Sequence, residues 1–182
     1  SQCAGKAENQ TATTSGQASG ELTGMKIAYV EIDTLLAQYN FCIDLNEGMV
    51  KKSENVRLTL NQKARELDKQ KQDFQTKYQN NAYLSPERAQ QEYNRIAKLE
   101  QDLQTLSNKL QSELMSENEK NSLQLRDSIN AFLKEYNKTK GYSMIISNTG
   151  FDNLLYADSI YNITKEIVEG LNARYSSPAP KK

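Results

Sequence analysis

From residue 49 to residue 140 this chain contains no glycine and a single proline, Pro86, which stands where a helix would begin. Few folds accept so long a run without a turn. Before Pro86, Val56, Leu60, Ala64, Leu67, Lys71, Phe74 and Tyr78 recur mostly three and four apart, marking one face of a helix. After it, Ala89, Tyr93, Ile96, Leu99, Leu103, Leu106, Leu110 and Leu114 form a cleaner stripe with coiled-coil-like spacing. Lys, Glu, Gln, Asn and Arg fill the intervals. Residues 80–84 break the pattern, and Ser85-Pro86-Glu87 restarts it: serine as cap, proline at the first helical position, a carboxylate at the positive helix end. The segments 32–80 and 86–138 each suit a helix of about 75 Å. Packed stripe on stripe, they make one antiparallel hairpin with its tip near 79–86. A helix pair this thin has little core of its own, so it must oligomerise, project into solvent or hold something.

The stripe is predicted to be interrupted at 117–122, a polar patch suited to a flex point, and to resume at Leu125, Ile129, Phe132 or Leu133, and Tyr136. Gly141 ends the arm. Around the arm lie short apolar runs. Residues 25–31 read as a strand holding Ile27, Tyr29 and Val30, after which Asp33 offers a helix cap. The pattern is unclear at residues 39–41, where a kink or short loop is expected, and the long helical pattern begins at Asp44. Residues 142–147 (Met144, Ile145, Ile146) and 153–157 (Leu154, Leu155, Tyr156) read as the two strands of a hairpin, and Thr164 caps a last short helix. Three short strands are marginal alone. This predicts an α+β, mostly helical chain: a flexible linker over 1–24, a β-body from 25–43 and 139–175 shared between chains, an arm over 44–138, and a loose tail over 176–182.

Composition narrows the chemistry. The 182 residues carry 23 basic against 23 acidic side chains and no histidine, and 37% are hydrophobic. Balanced charge argues against nucleic acid. Two cysteines without histidine disfavour a metal site. No Ser or Cys sits beside a plausible base, so catalysis is not expected and no cofactor is implied. Nothing approaches the ~18 apolar residues of a membrane helix. Cys3 heads a Thr/Ser/Gln/Gly-rich run with no large apolar residue before Leu22, which resembles the lipid-bearing cysteine of a bacterial lipoprotein, although Gln2 is not the small residue usual before it. An incidental tail cysteine is the alternative. Cys42, between Phe41 and Ile43, reads as a buried small hydrophobe.

The stretches Ile27-Ala28-Tyr29-Val30-Glu31, Lys140-Gly141-Tyr142-Ser143-Met144-Ile145-Ile146, and Leu154-Leu155-Tyr156-Ala157-Asp158 followed by Ile163-Thr164-Lys165-Glu166-Ile167-Val168 resemble, in order and spacing, the Skp/OmpH family of periplasmic chaperones. The resemblance spans about residues 25–174. It implies a homotrimer whose strands build a small shared β-body, in which Ile27, Tyr29, Val30, Met144, Ile145, Ile146, Leu154, Leu155 and Tyr156 would join the chains. It implies arms that hold unfolded outer-membrane proteins in a cavity without ATP, in the periplasm. The lipoprotein-like head departs from the family and suggests tethering to a membrane. Neutral net charge is a second departure, since family members are often strongly basic.

Client contact would fall at the tip. Tyr83 and Leu84 lie off the helices and are the better candidates; Phe74, Tyr78 and Tyr93 lie on the stripe and are expected mainly to seal the two arms together. Lys77 and Arg88 belong to a stretch from Lys63 to Lys98 with eight basic and five acidic residues, a net of +3. That excess either attracts clients or is an ordinary solvated helix face. A structural or adaptor coiled-coil lipoprotein with one dedicated folded partner is the competing reading.

Overall fold

A computed structural model describes residues 24–150 and 153–176. The order is β1 (Ile27–Glu31), α1 (Ile32–Gln38), α2 (Asn40–Gln79), α3 (Pro86–Lys140), β2 (Met144–Asn148), a 3-10 turn (Ser159–Tyr161) and α4 (Thr164–Arg174). Helices α2 and α3 form the long antiparallel hairpin. Their 40 and 55 residues correspond to about 60 and 80 Å of helix.

The tip forms as the sequence dictates. Ser85 Oγ accepts the Arg88 amide at 3.2 Å, and Pro86 occupies the first turn, where a missing N–H costs nothing. Asn81 turns the chain with φ +51°, a conformation asparagine tolerates better than most residues. At the other end Gly141 adopts φ +70°, and the Asn137 carboxamide closes the exit by accepting from the Tyr142 amide (2.7 Å) and donating to the Tyr142 carbonyl (2.9 Å).

The compact core sits at the root of the arm. Ala28, Val30, Leu35, Tyr39, Cys42, Ile129, Phe132, Ile163, Ile167, Val168 and Leu171 pack into one cluster drawn from β1, α1, α2, α3 and α4. The expected break near residues 39–41 is there: Tyr39 is extended (ψ 115°) between α1 and α2. Asn172 makes it tolerable by accepting from the Asn40 amide (2.8 Å) and donating to the Gln38 carbonyl (3.0 Å), two groups that a continuous helix would have paired.

Several local expectations are corrected. Residues 142–147 and 153–157 do not form a hairpin. β2 pairs in parallel with β1, from Ile27 opposite Met144 to Glu31 opposite Asn148, with the whole arm as the crossover. Among the described residues the segment after the turn forms no strand: the Asn153 carboxamide donates to the Ser147 carbonyl, while Leu155 and Tyr156 remain 78% and 85% exposed. Apolar side chains without cover give a strand nothing to pack on, and the other side of β1 is already engaged by an isolated bridge from Tyr29 to Asn162. The arm helix starts at Asn40 rather than Asp44, because the Asn172 contacts supply its first turn. Asp33 lies inside the first turn of α1, favourable for the helix dipole but not its cap, which is Glu31 without a side-chain bond. Thr164 is likewise the first residue of α4 and not its cap. Asn162 Oδ1 accepts the Thr164 amide at 3.0 Å, which frees Thr164 Oγ1 to accept the Glu31 amide at 2.8 Å and tie α4 to β1. The second arm is one helix as expected, with α3 continuous through 117–122.

Candidate functional site

The far end of the arm gathers four aromatic rings. Phe74 is central, with ring centroids 5.9 Å from Tyr78, 5.7 Å from Tyr83 and 6.1 Å from Tyr93, all within the range of aromatic pairing. The spacing explains the cluster: Phe74 and Tyr78 stand one turn apart on α2, and Tyr93 comes across from α3. Phe74 and Tyr83 are half-buried, whereas Tyr78 and Tyr93 are 62% and 56% exposed. Phe74 takes the sealing place expected of it, but the expectation for the tyrosines is changed. Tyr83 folds back from the loop onto Phe74, and Tyr78 and Tyr93 touch Phe74 but stay mostly exposed at the edge of the seam, whose buried position at that level is Ala89. Leu84 is 94% exposed, as expected of a residue off the helices. Phe74, Tyr78, Pro86, Ala89, Gln90 and Tyr93 line an open groove of about 470 Å³.

Charge around this groove is partly spoken for. Arg95 pairs with Glu92 at 2.6 Å and holds its carboxyl below the usual range. Lys71 reaches Glu100 across the hairpin at 2.8 Å, and Lys98 reaches Asp102 at 3.3 Å. Among the described residues Lys77 and Arg88 form no ion pair within 4 Å, so the tip keeps two free cations beside exposed tyrosines.

The residues expected to join chains divide in two. Tyr29 and Val30 are buried, 8% and 4% exposed, in this chain's own core, and Ile27, Ile145, Ile146 and Leu154 are half-buried. Met144, Leu155 and Tyr156 face outward, and the structure adds Met25, Ile160 and Tyr161, which sequence reading missed, at 56%, 75% and 48% exposure. The signal was available: Ile160 and Tyr161 are large apolar residues in a segment too short to bury them. The outer edge of β2 has no partner among the described residues. Cys3 lies outside the described residues, and Cys42 is buried with its thiol pushed up by burial. Among the described residues no group of His, Cys, Asp and Glu is placed to hold a metal, and no helix is long and apolar enough to cross a membrane.

The same architecture occurs in a solved protein of Caulobacter crescentus CB15, provisionally assigned as an outer membrane chaperone (OmpH-like). The two superpose with a TM-score of 0.75 at 12% identity, over 92% of this chain and 96% of that one. No curated protein matches the sequence. The family described as outer membrane protein (OmpH-like) matches residues 26–171. With that span covering the root, both arm helices and most of α4, the chain belongs to the OmpH-like family.

Proposed function

We propose that this protein is a holding chaperone of the periplasm that binds unfolded outer-membrane proteins between helical arms and keeps them from aggregating, without ATP. The observation that carries this reading is the separation of two uncovered apolar surfaces. One, at the arm's free end, pairs exposed Tyr78, Tyr93 and Leu84 with the cations Lys77 and Arg88. The other, at the root, exposes Met144, Leu155, Tyr156 and Ile160 beside an open strand edge. The root surface suits a second copy of the chain, since an open edge with apolar neighbours is satisfied by another strand. Family membership supports three copies. Three arms hung from such a body would enclose a space with soft aromatic and cationic tips, suited to varied unfolded segments and to no single folded shape. A lipid on Cys3 would tether the assembly to a membrane.

Native mass spectrometry of the chain, diluted together with a urea-unfolded outer-membrane barrel, tests this. A trimer that gains the mass of one barrel is the expected result, with light scattering of the barrel suppressed. A trimer that ignores several unrelated barrels would favour the adaptor reading. A monomer at micromolar concentration would remove the shared body.

A further inference from the structure

The hairpin seam is unevenly closed. Beside Leu67 it opens into a groove of about 200 Å³ lined by Lys63, Glu66, Leu67, Gln70, Leu99, Asp102, Leu103 and Leu106. Gln70 stands at this opening. Its carboxamide oxygen is buried and accepts no hydrogen bond, and its nitrogen reaches only Glu66 Oε1 at a long 3.4 Å. A buried acceptor left without a donor is destabilising, and neither helix of the arm supplies one to Gln70. The nearest clasp is the Lys71–Glu100 pair, whose side chains are 41% and 60% exposed and therefore weakly held. The mid-arm seam thus combines an apolar floor, an acceptor lacking its donor and a solvent-screened clasp.

From this we infer a latent binding site in the middle of the arm, distinct from the tip: an extended apolar segment of an unfolded polypeptide lies over Leu67, Leu99 and Leu103 while one of its backbone N–H groups donates to the rotated Gln70 carboxamide. The occupant is set by chemistry. The leucines call for an apolar side chain and Gln70 calls for an N–H next to it, and a peptide supplies both in adjacent positions. A hydrocarbon chain supplies only the first. Charges of both signs at the rim (Lys63, Glu66, Asp102) give no preference for acidic or basic segments. The inference rests on the chaperone reading above and assigns a second contact within it.

The test uses the full chain and two probes: the acetylated, amidated peptide Gly-Leu-photoleucine-Leu-Gly and the same peptide with its central amides N-methylated. Photolabelling should fall on α2 near residue 67 and α3 near residues 99–106, and N-methylation should reduce it at least fivefold. Gln70→Leu, which gives the seam an apolar filler in place of the orphan, should raise Tm and cut the mid-arm labelling by a similar factor while labelling at the tip persists. Labelling confined to tip or root, equal labelling by the N-methylated peptide, or unchanged mid-arm labelling in Gln70→Leu would overturn the inference. Suppression of barrel aggregation, measured on the same sample, separates the two readings. Suppression without mid-arm labelling sinks this site alone, and loss of both sinks the chaperone reading with it.

Discussion

Two glycines inside helices show how opposite the effect of one methyl group can be. A Cβ built on Gly48 would meet nothing within 4 Å, so Gly48→Ala should stabilise the protein by roughly 0.5–1 kcal/mol, read as a higher midpoint in urea. A Cβ on Gly170 would lie 2.3 Å from the Phe132 ring, which is itself packed in the root core. There Gly170→Ala should lower stability by about 1–3 kcal/mol despite the gain in helix propensity, because the ring must leave its place against α4 and the root core. Tyr175 gives a pH signature. Its hydroxyl donates to Asp44 at 2.8 Å, and burial, then the carboxylate, push its pKa up to about 12. The folded state therefore keeps a proton that the unfolded state releases near pH 10. Stability from this contact is complete below pH 10 and is lost as pH rises toward 12. Burial also raises Tyr136 and Tyr39, so spectrophotometric titration should show several late-titrating tyrosines, and Tyr175→Phe should remove one of them.

At the scale of elements, the arm was the most legible part of the chain and the root the least. Helix periodicity, the Ser85-Pro86 start and Gly141 are local signals, and local physics decides them. The reach of α3 and the tip position followed directly, whereas the break at Tyr39 leaves α2, at 40 residues, shorter than its segment suggested. The strand pairing did not, because 142–147 and 153–157 satisfy a hairpin pattern in isolation, and the competing partner, β1, lies at the far end of the sequence. The cap assignments at Asp33 and Thr164 failed because α1 begins directly at the exit of β1, while Asn162 takes the Thr164 amide and leaves the Thr164 hydroxyl to the remote Glu31 amide. The aromatic tip was legible in membership but not in burial, since the buried position of the seam at that level is Ala89, with Tyr78 and Tyr93 at its edge. The 117–122 patch does not break α3. Glu117 is half-buried there and pairs with Lys52 across the hairpin, which turns a flaw in the stripe into a cross-arm contact. An element-level consequence concerns Asn172, which serves both chain ends at the α1–α2 break. Asn172→Ala should cost about 1–2 kcal/mol, with hydrogen exchange accelerated at Asn40 while amides near the tip keep their rates.

For the whole molecule, the division between a packed root and a thin arm means that stability and assembly can be perturbed separately. Tyr156→Asp and Leu155→Asp alter side chains that this chain leaves almost wholly exposed, so they should barely change the circular dichroism of the single chain. If the root surface joins copies, sedimentation velocity should show the same variants shifted to monomer, and holding activity should fall with it. A change in oligomer without unfolding would place Leu155 and Tyr156 at the junction, and an unchanged oligomer would remove them from it.

The parallel pairing of β1 with β2 has a further consequence, in time rather than space. Strand β1 is made first, yet it pairs with residues beyond the arm, and its last amide is held by Thr164, 133 positions later. The arm needs no such wait, since α2 and α3 meet through the turn at residues 80–85 and can close outward from it. Closure of so long a loop is slow relative to local helix pairing. The chain should therefore fold tip first and root last, so that Ile27, Tyr29 and Val30 stay uncovered until most of the sequence has emerged. For that interval the chain itself carries the kind of exposed apolar strand that it is proposed to protect in others.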